Sequence, residues 1–99
     1  MSDTIREKFE NDLGVVEWRS VRAHLARDSV VLADPHMDLV AVAVAVARDD
    51  TARVASWIAE GRLTKPSEER LQRLETRPDT PFRLLIARPF LLVQEVGED

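Results

Sequence analysis

Nine consecutive residues, Leu39 to Ala47, are leucine, valine or alanine. A segment that is apolar nearly all round belongs inside a domain, so the rest of the chain must wrap around it. Its valines alternate with alanines, which is the period of a strand. A strand, however, would place only alanines on one face. Alanine is the best helix former and is depleted in strands. The residues in front also favour a helix. Asp34 is a capping residue, and Pro35 suits the first helical position, where its missing N–H is no loss. The pattern predicts a helix over Pro35–Arg48. Asp38, Ala41, Ala45 and Arg48 form the stripe without large apolar groups and are expected to face solvent.

A tight Arg48-Asp49-Asp50 turn leads to a second helix ending at Gly61. Val54, Trp57 and Ile58 form its expected buried face, with Arg53, Ser56 and Glu60 outward. Upstream, Thr4 and Glu7 have the spacing of a capping box. Ile5, Phe9 and Leu13 make the apolar face of that helix, and Gly14 is read as its left-handed stop. A further helix is expected from Glu17 to Arg27, on the stripe Trp18, Val21 and Leu25. Ser29–Ala33 reads as a central strand and Arg62–Lys65 as a short edge strand. Ser67 caps a surface helix carrying Leu71 and Leu74, and Arg77–Pro81 is a loop. Phe82–Ala87 and Phe90–Val96 are the clearest strands. The residues between them, Arg88 and Pro89, predict an irregular hairpin.

The expected fold is therefore α+β. A small, mainly antiparallel sheet of Ser29–Ala33, Phe82–Ala87 and Phe90–Val96 carries helices on one face, with the Pro35–Arg48 helix and its helical hairpin at the centre. The 99 residues fit one domain, 1–99. There is no cysteine. This removes disulfides, thiolate metal sites and cysteine nucleophiles, and fits a cytoplasmic protein. The N-terminal residues are too charged for a signal peptide, and Leu39–Ala47 is too short to span a membrane. The Gly97–Asp99 end is expected to fray.

Several short pieces resemble a known family. They are Leu32-Ala-Asp-Pro, Asp38-Leu-Val, Asp49-Asp50-Thr, Val54-x-x-Trp57-Ile, Gly61-x-Leu63 and Ala87-Arg-Pro-Phe-x-Leu-Val-Gln94. Together they are similar to a small bacterial family known as domain of unknown function 2288, over most of the chain from Trp18 onward. The resemblance implies a bacterial source. It carries no activity, cofactor or site residue.

The candidate sites are few. Asp34, His36 and Asp38 alternate, and on an extended segment two carboxylates and an imidazole would point one way and suit a divalent metal. On a helix they diverge. His24 would need a nearby carboxylate to act as a base. Asp49 and Asp50 are an acid pair by proximity, but adjacent residues diverge and aspartates between helices serve as caps. The helical hairpin resembles the helix-turn-helix of excisionase-like and MerR-like regulators. Its nucleic-acid candidates are Arg53, Arg62 and Lys65. Against that, the net charge is −4 and the turn holds two aspartates. Trp18, Trp57, Phe82 and Phe90 read as core. There is no nucleophile elbow and no phosphate-binding glycine loop, since the chain has only three glycines. The expectation is a non-catalytic cytoplasmic protein-interaction module without cofactor, contacting a protein partner or itself as a homodimer. Its motive is the last two strands: Leu84 and Ile86 face one way, Leu85 and Ala87 the other, and so small a domain covers both sheet faces with difficulty.

Overall fold

The computed structural model describes residues 4–23 and 29–96. His24, Leu25, Arg27 and the Gly97–Asp99 end lie outside them. Ten elements follow in order: α1 (Thr4–Asp12), β1 (Gly14–Glu17), α2 (Trp18–Arg22), β2 (Val30–Ala33), α3 (Leu39–Ala47), α4 (Thr51–Ala59), β3 (Leu63–Thr64), α5 (Glu68–Glu75), β4 (Pro81–Ala87) and β5 (Phe90–Glu95). The fold is α+β.

The strands form one five-stranded sheet in the order β1-β4-β5-β2-β3. Every pairing is antiparallel except β2 with β5, which is parallel. The β4–β5 hairpin sets the register, with Leu84 opposite Val93 and Leu85 opposite Leu92. Its turn is Arg88-Pro89, joined by a cis peptide bond.

Two cores result, one on each face of the sheet. On the first face α1 and α3 bring Phe9, Leu39, Val40, Val42 and Ala43 onto Ala33, Leu85, Ala87 and Leu92, with the half-buried Val54 and Trp57 of α4 packed against them. On the second, α2 and α5 bring Trp18, Val21 and Leu74 onto Val30, Leu32, Phe82, Leu91 and Val93. Helices thus cover both faces, not one. Alternation along β4 and β5 sends successive apolar side chains to opposite sides, and each set has its own cover.

The run that anchors the sequence is the helix α3, packed on β4, β5, α1 and α4. It starts later than expected. Asp38 is the N-cap, and its carboxylate accepts from the N–H groups of Val40 and Ala41 at 3.1 and 3.3 Å. Asp34 instead accepts from the His36 N–H at 2.8 Å, closing a turn that leaves Pro35 outside the helix. The expected solvent stripe is also wrong in part. Ala45 is buried and Ala41 half-buried, because neighbours surround α3 on most sides.

Gly14 is not a left-handed stop. It opens β1, a strand absent from the sequence reading, which shortens the expected Glu17–Arg27 helix to start at Trp18. Gly61 does take a positive φ, of 76°, after α4. Asp49 takes φ 57° in the turn before it. Ser67 caps α5 through the Arg70 N–H.

Candidate functional site

Three regions hold the residues that chemistry would use. The first is the 34–38 segment. Gln94, buried on β5, donates both amide hydrogens into it, to the carbonyls of Asp34 and Met37, each at 2.7 Å. The segment is pinned open by this amide. Asp38 is spent on the α3 cap and on Arg6, whose guanidinium donates to it at 2.8 Å. That hydrogen bond from Arg6 is the main reason the Asp38 carboxyl lies below its ordinary pKa; partial burial opposes it, and the Ala41 and Val40 N–H groups add to it. Asp34 turns back on the His36 backbone. Asp34, His36 and Asp38 therefore do not converge, and no metal-ligating group of three occurs among the described residues.

The second region is the α3–α4 pair. Asp50 caps α4 through the Arg53 N–H at 3.2 Å. Asp49 and Asp50 are thus split between a left-handed turn and a cap. Arg53 lies over the Trp57 ring at 5.7 Å, an energetically useful cation–π distance. Arg62 pairs with Glu60 at 3.3 Å, and Glu60 also accepts from Ser56. Arg62 and Lys65 follow the helix on exposed backbone. Nothing on α4 is buried; Val54 and Trp57 are half-buried. Ile58, expected inside, is 58% exposed. At 100° per residue it flanks Ala52, Ala55 and Ala59, all exposed, so α4 turns an apolar strip outward. The mixed content of the strip explains the miss: alanines mark no face in a sequence.

The third region was not read from the sequence. It is an open groove of about 870 Å³ at one end of the sheet, lined by Pro35, Leu74, Pro81 and Val96 and by Arg70, Arg73 and Arg77. Arg70 and Arg73 stand on α5 and Arg77 just after its Thr76 cap; three arginines within eight residues are the signal the sequence held.

Among the aromatic residues, Trp18 and Phe82 are fully buried against each other, ring centroids 5.5 Å apart. Phe90 is exposed at the hairpin tip, where no helix reaches.

The comparisons with known proteins give a fold and no activity. No curated protein matches. A solution NMR structure of PA1075 from Pseudomonas aeruginosa is similar over 99% of this chain and 90% of that one, with 28% identity and a TM-score of 0.79. The model of a family described as protein of unknown function (DUF2288) matches residues 4–95. That match takes in all ten elements, and the chain belongs to the DUF2288 family.

Proposed function

We propose that this is a non-catalytic interaction module of the bacterial cytoplasm that acts as a homodimer through the outer face of α4. The observation that carries the reading is the apolar strip of Ala52, Ala55, Ile58 and Ala59 on a helix with no buried residue. The uncovered sheet face that motivated a homodimer in the sequence is not there, since helices close both faces. Other exposed apolar groups are isolated. Ile86 and Phe90 sit on opposite sides of the sheet by alternation, and Val15 stands on a short edge strand. Only α4 offers a continuous surface among the described residues.

The occupant we favour is a second copy. Small side chains let two helices approach closely, and a two-fold axis is the commonest symmetry of soluble oligomers. Arg53 and Glu60 lie on the other side of α4 from Ala55, outside this interface. Light scattering at micromolar concentration tests this. The wild-type chain is expected to have twice the monomer mass and Ile58→Glu the monomer mass, with the same circular dichroism. Ala55→Glu, at the middle of the strip, is expected to give the monomer mass too, and Arg53→Glu, on the other side of the helix, to leave the dimer mass unchanged. A wild-type monomer at all concentrations overturns the dimer. If that monomer also captures no protein from a bacterial lysate, the interaction reading goes with it.

A further inference from the structure

We infer that the groove beside α5 is a docking site for an acidic, extended peptide segment of another protein. The groove lies at the sheet end where the parallel strands β2 and β5 both finish, at Ala33 and Glu95. Pro35 and Val96, the residues just beyond, help to line it. One wall is α5 and the turn after it. Arg70, Arg73 and Arg77 come from that wall, and Pro81 and Thr80 from the start of β4.

The three arginines are not equivalent. Arg70 is held by Glu95 at 2.7 Å, which ties α5 to β5. Arg73 and Arg77 make no side-chain ion pair or hydrogen bond among the described residues. Arg73 stands in the last turn of α5 and Arg77 in the turn after its Thr76 cap, and both line the groove. Apart from Glu95, the carboxylate in the lining is Asp79. With Arg70 paired to Glu95, Arg73 and Arg77 face one carboxylate, so the lining is net positive in a chain of net charge −4. The C-terminal turn of a helix favours one such cation. It does not require two of them beside an apolar floor of Leu74, Pro81 and Val96.

The chemistry of the lining selects the ligand. Guanidinium groups bind carboxylates through paired N–H donors. The apolar floor suits alternate apolar side chains, and the openness of the groove suits a strand-like segment better than an enclosed small molecule. The site lies across the sheet from α4, so it stands whether or not two copies pair there.

Fluorescence anisotropy tests the inference with a labelled peptide of alternating glutamate and leucine, titrated with the full chain. Binding is expected to fall about tenfold for Arg73→Ala and about tenfold for Arg77→Ala, each losing one charge-assisted contact. Lys8→Ala, which removes the same charge from α1 on the other face, is expected to bind as the wild type does. A peptide of alternating lysine and leucine is expected not to bind. Backbone amide shifts in the wild-type chain are expected to move at residues 76–80 on adding the acidic peptide, a readout independent of any variant's folding. No binding of the acidic peptide overturns the proposal. So does equal loss in Lys8→Ala, which would mean a net-charge effect. Displacement of the peptide by inorganic phosphate, beyond what sodium chloride of equal ionic strength achieves, replaces the peptide site with a free-anion site and overturns it too.

Discussion

Asp38 and Gln94 show how two side chains fix where the central helix begins. Asp38 caps α3 and binds Arg6 with the same carboxylate. Asp38→Ala is expected to cost about 1–2 kcal/mol, as for other lost caps, read from urea unfolding. Asp38→Asn keeps a capping oxygen and removes the charge, so it isolates the Arg6 pair. The pair is half-exposed and contributes little at neutral pH. The folded pKa of Asp38 is depressed, so its contribution is present above the ordinary value of 3.8 and is lost as pH falls through the lower folded value. The melting-temperature difference between the wild type and Asp38→Asn should therefore vanish in acid well below 3.8; a difference unchanged there would exclude Arg6 as its cause. Gln94→Leu leaves the carbonyls of Asp34 and Met37 without their donor inside the protein. It is expected to destabilise by about 1–3 kcal/mol and to speed amide exchange at Val40 and Ala41. The Ser67 cap could be read from the sequence because cap and helix are neighbours, but the α3 cap was placed at Asp34, since Pro35 beside it imitates a helix start and the turn that Asp34 closes on His36 leaves no mark in the sequence. Gln94 could not be read, because its partners lie 57 and 60 residues away.

At the scale of elements, α3 was legible as a helix because alanine content and flanking turn residues outweighed a two-residue period. Its buried sides were not, since a segment apolar all round names no face. Ala43 is fully buried where α3 meets the sheet. Ala43→Leu is expected to push α3 off β4 and cost about 1–3 kcal/mol, whereas the same change at exposed Ala47 should be near neutral. Val42→Pro should cost about 3 kcal/mol or more by breaking the helix. Thermal melts of the three variants rank them, and an Ala43→Leu protein as stable as the wild type would mean slack packing under α3. β1 escaped the sequence for a different reason. It has two apolar residues, and its strand character comes from pairing with β4, where Val15 meets Arg83 and Val16 meets Phe82. Edge strands of this kind take their conformation from the neighbour.

The whole molecule is a sheet with separate cores on its two faces, and its charges are arranged on the outside of both. On the α4 side the cations have local partners: Arg53 stacks on Trp57, and Arg62 pairs with Glu60. A recognition helix needs such side chains free to reach base edges, and phosphate contacts supply most non-specific affinity. Here Glu60 and the aspartates of the Asp49-Asp50 turn stand at the two ends of the same helix. The expected outcome is no binding to mixed duplex DNA tighter than ~1 μM at physiological salt. What affinity appears at low salt should fall steeply as salt is added and be the same for Arg53→Ala. The α5 groove provides the control, because Arg73 and Arg77 line it and make no ion pair among the described residues: Arg73→Ala/Arg77→Ala should reduce low-salt retention on an anionic resin more than Arg53→Ala does. Tight DNA binding that Arg53→Ala weakens would move the site to α4 and make the helical hairpin a reader of nucleic acid.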